Sequence, residues 1–168
     1  MTDLEQDLET WDGKSSDDIT AIFERHRNSP RFAEKTVALL RNEPAAVGAS
    51  WLLKRFLEQG GSLNSRTCHD ICRSTPALRH WAARLHVLQC LPFLDIQAED
   101  RKTLEPFVRD GLSDDRAFVR AWSYNGLNEL SMRFPDLQEE TRLILEMAMR
   151  DEAPSVKARV RNILRKNP

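Results

Sequence analysis

Residues 114–123, DDRAFVRAWS, read as a turn followed by the opening of a helix. Asp114 is a typical helix-capping residue, and the helix begins with an apolar anchor, Val119, directly followed by the basic Arg120. The same order of turn, anchor and basic residue recurs at Leu78-Arg79 and at Val156-Lys157. The chain therefore contains an internal repeat that is marked by the start of a helix.

The spacing of the anchors predicts the architecture. Val47 provides a fourth anchor, and successive anchors lie 31, 41 and 37 residues apart. No segment alternates apolar and polar residues as a strand would, and short joins between helices favour antiparallel neighbours. Helix pairs at irregular periods of this size are typical of an α-solenoid, so we expect an all-α fold of about four antiparallel helix pairs.

The helix-opening pattern resembles that of HEAT repeats, which belong to the armadillo-like α-solenoid superfamily. Three segments carry it: Leu78-Arg79-His80-Trp81-Ala82, Val119-Arg120-Ala121-Trp122-Ser123 and Val156-Lys157-Ala158-Arg159-Val160. The resemblance covers residues 31–167 in four units and is weakest in the first unit, where Gly48 replaces the basic residue. It implies a short stack of HEAT-like helix pairs that binds other proteins or serves as a scaffold.

The chain begins with a distinct acidic segment. Residues 1–30 contain eight acidic and three basic residues, which leaves this segment at −5 although the whole chain carries a formal charge of −1. Leu4, Leu8 and Trp11 lie at helical spacing, so the segment can form an amphipathic helix. We therefore divide the chain into an acidic lead at 1–14, which could be mobile, and a single HEAT-like domain at 15–168.

Proline, glycine and capping residues predict several helix ends. Gly60 and Gly111 are expected to end helices, and Ser15 is expected to cap one. Pro76 is expected to begin a long helix, since proline is well tolerated in a first helical turn. The sequence Pro135-Asp136-x-x-Glu139 predicts a capping box that opens a helix at Leu137.

Composition and targeting signals narrow the class of protein. A chain of 168 residues with 40% hydrophobic and 30% charged residues is long enough to bury one core. The start is acidic and lacks the layout of a signal peptide, and no uncharged run is long enough for a membrane span. Three cysteines, an odd number, fit a reducing compartment. We expect a cytoplasmic protein that does not contact membranes.

A group of cysteine and histidine residues raises the question of a metal site. Cys68 and Cys72 are four residues apart, as are His86 and Cys90 on the next predicted helix. Two soft ligands from each helix could form a tetrahedral zinc site, but the spacing matches no familiar zinc motif. Cysteine is also a common small core residue. We expect no metal and no cofactor.

Aromatic and basic residues at equivalent repeat positions form the candidate binding groove. Its predicted members are Arg79, Trp81, Arg120, Trp122, Lys157 and Arg161. Two alternatives remain open: the tryptophans could fill the core between repeats, and each basic residue could pair with a neighbouring carboxylate such as that of Asp114 or Asp115. If the row is unpaired, its natural partner is an acidic peptide or another protein. The acidic lead is a candidate occupant, from the same chain or from a second molecule.

A weaker resemblance is to the HEAT-like alkylpurine DNA glycosylases. In that family, tryptophans hold the damaged base and an aspartate supports its loss. Here the residues one turn after Trp51, Trp81 and Trp122 are Arg55, Leu85 and Gly126, so no carboxylate follows. Phosphate-binding and hydrolase motifs are also absent from the sequence. We therefore predict a non-enzymatic protein-binding module, with a nucleic-acid-binding protein related to alkylation repair as the alternative; the partner and the oligomeric state remain undetermined.

Overall fold

The computed structural model describes residues 2–167, and it confirms the all-α fold: this part of the chain contains ten α-helices and no strand. The helices are α1 (Asp3–Thr10), α2 (Ser16–His26), α3 (Phe32–Ala38), α4 (Glu43–Glu58), α5 (Ser65–Ser74), α6 (Trp81–Cys90), α7 (Arg101–Gly111), α8 (Ala117–Arg133), α9 (Gln138–Asp151) and α10 (Pro154–Lys166). Short 3-10 turns precede or follow several of them. None of the described helices combines the length and the apolar character that a bilayer crossing requires.

The chain divides into two compact units, the first ending at Asp95 and the second beginning at Ile96. In the first unit α3 packs against α4 and α5, and α4 packs against α6. Its core is formed by fully buried side chains, among them Phe23, Leu52, Leu53, Ile71 and Leu88.

The acidic lead is part of the first unit. Helix α1 begins with a capping box between Thr2 and Glu5, and it packs against α2 and α4. Leu4 and Leu8 are buried, and the Asp7 carboxylate lies 2.7 Å from both Arg25 Nη1 and His26 Nε2. The apolar stripe that the sequence predicts is thus covered by the chain's own α4. Of its acids, Asp7 pairs with α2, whereas Glu5 and Glu9 accept hydrogen bonds from the Asn42 side chain.

The second unit is built around α8. This helix packs against α7, α9 and α10, and α9 packs against α10. One cluster of its core consists of seven buried residues, which are Ala121, Tyr124, Leu145, Ala148, Val156, Val160 and Ile163. The anchors Val119 and Val156 are fully buried, as expected for residues that fix a helix pair.

One predicted helix start and one predicted capping box are wrong. Pro76 lies in a 3-10 turn, Thr75–Ala77, and does not begin an α-helix. Leu78 is extended and α6 starts at Trp81, where the His80 side chain accepts a hydrogen bond from the Ala82 amide. The predicted capping box at Pro135 is not formed either. Asp136 instead accepts two hydrogen bonds from the Arg101 guanidinium at 2.9 and 2.7 Å, so its carboxylate is engaged away from the helix end.

The two glycines act in different ways. Gly60 has φ of +88°, a conformation that glycine adopts without strain, and it ends α4 as predicted. Gly111 is the last residue of α7, and a Cβ at this position would lie 2.1 Å from Ser123 Oγ. The absence of a side chain at Gly111 therefore permits the close approach of α7 to α8.

Candidate binding surface

The solvent-facing side of α8 carries two aromatic residues one turn apart, Phe118 and Trp122. Phe118 is 71% exposed, the highest value among the large hydrophobic side chains that the structure describes as exposed. Residues four apart lie on the same helix face, so the two rings share one surface. A ring exposed to this extent contributes little to folding and is available for contact.

Helix α10 adds a cation to this surface. The Arg159 guanidinium lies over the Trp122 ring at 4.1 Å from its centroid. Such a cation–π contact holds both side chains in a fixed geometry and leaves the edge of the guanidinium open to hydrogen-bond acceptors. We call Phe118, Trp122 and Arg159 the aromatic patch.

Lys157 and Arg161 do not join this patch. Each is two residues from Arg159, and two residues correspond to about 200° around an α-helix, so both side chains leave α10 on its opposite side. Neither side chain has a hydrogen bond or an ion pair with any residue that the structure describes. The structure thus brings Trp122 together with Arg159 and separates it from Lys157 and Arg161.

Arg120 is engaged inside the second unit. Its Nε lies 3.0 Å from Glu152 Oε1, and its Nη1 donates to the backbone carbonyls of Asp114 and Asp115 at 2.9 and 3.1 Å. The Tyr124 hydroxyl donates to the same Glu152 carboxylate at 3.1 Å. This network ties α8 to the loop before α10, which agrees with the alternative in which the basic residue pairs with a neighbouring carboxylate.

The network also shifts the acidity of its members. Burial and the neighbouring Glu152 charge raise the pKa of Tyr124 to about 12. Burial alone would raise the pKa of Glu152, but the hydrogen bonds from Arg120, the Ala153 amide and Tyr124 lower it below its ordinary value. At neutral pH the carboxylate is therefore charged and the phenol is protonated.

Arg79 and Trp81 belong to the first unit. Arg79 is exposed and precedes α6, whereas Arg120 and Lys157 are each the fourth residue of a helix. The fourth residue of α6 is Arg84, so the supposed equivalence of Arg79 with the other two does not hold. Trp81 is 38% exposed and stacks on His80, with ring centroids 5.8 Å apart.

The third tryptophan considered in the sequence has a core contact. Trp51 on α4 meets the buried Phe23 ring edge-on, with centroids 6.4 Å apart. Phe118, by contrast, was not singled out by the sequence pattern, although it stands directly before the anchor Val119. The signal that could have identified it is an aromatic residue four positions before Trp122, outside the apolar face of α8.

The three cysteines lie in the interior of the first unit, and His86 is partly buried there. Cys68, Cys72 and Cys90 are buried, and burial raises the pKa of the Cys90 thiol. The His86 Nδ1 atom lies 3.0 Å from the Oγ atom of Ser50, which is fully buried on α4. Burial, and then the positive charge of Lys54, lower the pKa of His86 to about 4. Among the residues that the structure describes, no group of three or more potential ligands could hold a metal ion.

The side chains of the aromatic patch are suited to binding another molecule. It offers an exposed ring, an indole and a guanidinium, which suit an apolar side chain next to a carboxylate. A comparison of the chain with protein-family models, with curated proteins and with solved structures finds no match. The residues and their geometry are therefore the basis for assigning a function.

Proposed function

We propose that the chain is a cytoplasmic, non-enzymatic protein-binding module with HEAT-like helix pairs. In support, α7 packs against α8 and α9 against α10 in the second unit, and the second helices α8 and α10 also pack together; in the first unit α3 packs against α4, and α4 packs against α6. HEAT-type repeats stack in this way, and their second helices supply binding surfaces. The arrangement of all four pairs as one solenoid is part of this proposal.

The observation that carries the proposal is the aromatic patch. Phe118 is largely exposed, and Arg159 is held over Trp122, so an apolar group and a positive charge are presented side by side. Aromatic and arginine side chains are the residues that most often dominate binding energy at protein interfaces. The partner that fits is a peptide segment with an apolar side chain next to one or more acidic residues.

Two properties favour a protein over nucleic acid. The chain has a net charge of −1, which provides no general attraction to phosphate. One face of the Trp122 ring is also covered by Arg159, so a base could stack on that face only by displacing the guanidinium. Nucleic-acid binding remains the second candidate function, because Lys157 and Arg161 are exposed or partly exposed cations with no described partner.

The test is a selection of peptides from a displayed random library, followed by binding measurements with the selected peptide. We expect acidic peptides with an aromatic or aliphatic residue, and we expect Phe118→Ser and Arg159→Glu each to weaken binding at least about tenfold, the loss of one central interface contact. Phe93→Ser is the matched control for the ring, since Phe93 is exposed in the first unit.

Arg161→Glu is the matched control for the charge, because Arg161 lies on the same helix but on its opposite side. If Arg161→Glu abolishes binding while Arg159→Glu does not, the predicted basic row is the site and the aromatic patch is not. If neither matters and the protein retards DNA with a steep salt dependence, the nucleic-acid function replaces the proposal.

A further inference from the structure

The second unit contains a cavity of about 370 Å³ at the end where α8 and α10 finish and α9 begins. Its apolar lining includes Leu145 and Ile163, and its polar lining includes Asn128, Thr141 and Asn167. All of these residues belong to one compact unit. This volume is many times the space that one water molecule needs, so the cavity can admit a larger group.

Thr141 is the unusual residue in this cavity. Its side chain is buried, with only 3% of the residue exposed, yet its hydroxyl has no hydrogen-bond partner. Thr36, one of the buried threonines of the first unit, shows the usual solution, because its hydroxyl donates to the Phe32 carbonyl at 2.8 Å. A buried hydroxyl without a partner is costly, so Thr141 marks a place where a bound group would supply the missing hydrogen bond.

Two carboxamides provide further hydrogen-bonding groups at the cavity. Asn167 Nδ2 donates to Asn128 Oδ1 at 3.0 Å, which fixes the orientation of both side chains. This bond leaves the side-chain amide group of Asn128 and the side-chain carbonyl oxygen of Asn167 available for other hydrogen bonds. Donors and acceptors are thus both available next to Thr141.

The cavity offers little to a charged ligand. Its only charged lining residue is Arg142, and that guanidinium already bonds to Glu139, at 2.7 Å, and to Glu146. A ligand carboxylate or phosphate would have to displace one of these acids. An uncharged group with both hydrogen-bonding capacity and an apolar part fits the lining better.

We propose that this cavity binds a short, uncharged stretch of peptide chain contributed by a partner protein. The amide groups of the peptide would bond to Thr141, Asn128 and Asn167, while a small aliphatic side chain would contact Leu145 and Ile163. The site differs from the aromatic patch in ligand chemistry and in residues. A result that refutes the acidic partner of the aromatic patch would therefore not refute the cavity site, and the reverse is also true.

The experiment is a titration of the full chain with N-acetyl-leucinamide, an uncharged probe with two amide groups and one aliphatic side chain. Binding is followed by NMR at the Thr141 methyl group and at the side-chain amides of Asn128 and Asn167. We expect saturable shifts at all three positions. Thr141→Val keeps the shape of the side chain but removes the hydroxyl, and we expect it to weaken binding about tenfold.

Thr36→Val is the matched control and should leave the affinity for the probe unchanged. N-acetyl-leucine, which has nearly the same size but carries a carboxylate, should bind at least about tenfold more weakly because no free cation faces it. The proposal is wrong if the three positions do not respond to the probe, which would mean that the cavity holds water only. It is also wrong if Thr141→Val binds the probe as the unmodified chain does, or if the carboxylate binds equally well.

Discussion

Leu8 of the lead helix α1 lies over Gly48 of α4 so closely that a Cβ at position 48 would be 2.7 Å from Leu8 Cδ2. Position 48 therefore has no room for a side chain unless Leu8 moves. Gly48 is the sixth residue of α4, whereas Arg120 and Lys157 are each the fourth residue of a helix, so helix position does not make Gly48 their counterpart. The lead helix thus covers the side of α4 that carries Gly48.

Gly48→Ala is therefore expected to destabilise the protein although alanine is the better helix former. The helix preference favours alanine by about 1 kcal/mol, but overpacking against Leu8 costs about 1 to 3 kcal/mol. In a Leu8→Ala background the clash is gone, and the same Gly48→Ala change should then be stabilising. Urea unfolding of the four proteins measures the reversal of sign, and a Gly48→Ala effect independent of Leu8 would contradict the packing.

Removal of residues 1–13 should lower the free energy of unfolding. The deletion exposes the surface of α4 that Leu4 and Leu8 cover, and each such side chain contributes about 1.5 to 3 kcal/mol when fully buried. Thermal unfolding measures the change. Asp7→Asn is the matched control: it keeps the apolar stripe and removes only the charge that faces Arg25 and His26, so it should cost much less. If the chain without residues 1–13 melts at the same temperature as the complete chain, the lead helix does not pack against α4.

The sequence predicts which side of a helix is buried, and where the helix ends, better than it predicts which side chains of different helices contact one another. Local spacing and backbone conformation predict three features that the structure shows: the apolar stripe of Leu4 and Leu8, the Ser15 cap of α2, and the end of α4 at Gly60. These features depend on residues within one or two turns, which is the range that a sequence pattern covers. The solenoid arrangement of all four pairs stays a prediction.

The candidate site was harder to predict because it depends on side chains from different helices. Helical spacing places Trp122 and Arg159 on partly exposed faces, but it does not show that one lies over the other. Sequence order alone aligns Arg79 with Arg120. The extended backbone at Leu78, however, delays the start of α6 until Trp81. The residue of α6 at the helix position of Arg120 is Arg84, five residues after Arg79, so the alignment is wrong.

Gly111→Ala should destabilise the second unit, since the added methyl group would meet Ser123 Oγ at 2.1 Å. Ser123 cannot move aside freely, because it is fully buried and its hydroxyl donates to the Val119 carbonyl at 2.7 Å. We expect a loss of about 1 to 3 kcal/mol in urea unfolding. The loss should be smaller in a Ser123→Ala background, where the nearest remaining atom is Cβ at 3.2 Å. Identical losses in both backgrounds would exclude this contact as the cause.

His86 should make the protein less stable as the solution becomes acidic. Its pKa in the folded chain is lowered to about 4, mainly by burial, from an ordinary value of 6.5. The unfolded chain therefore binds a proton between these pH values while the folded chain does not. The stabilising contribution is complete above pH 6.5 and falls by about 1.4 kcal/mol per pH unit down to about pH 4.

The measurement is the free energy of unfolding across this pH range for the unmodified chain and for His86→Gln. The difference between the two curves gives the contribution of His86 to the pH dependence of stability, because the carboxylates that also titrate in acid contribute equally to both curves. If the two curves run parallel between pH 6.5 and 4, His86 is not held neutral in the folded protein.

Arg120→Glu should destabilise the second unit by about 2 to 3 kcal/mol. The change places a negative charge beside Glu152, and both side chains of the native pair are largely buried, at 20% and 13% exposure. The partners of Arg120 lie in the second unit and those of α1 in the first, so this loss should add to that of deleting residues 1–13. A double variant no less stable than Arg120→Glu alone would instead show that the lead helix depends on Arg120.

Tyr124, the only tyrosine in the chain, reports directly on this network. Its pKa is raised to about 12 by burial first and by the Glu152 charge second, so Glu152→Gln should lower the pKa toward 10 without restoring it fully. Ultraviolet absorbance of the tyrosinate measures the titration without interference from a second phenol. Glu140→Gln is the matched control, because Glu140 pairs with Arg109 instead and should leave the Tyr124 pKa unchanged. If Glu152→Gln and Glu140→Gln titrate alike, the Glu152 carboxylate does not accept the hydrogen bond of Tyr124 in solution.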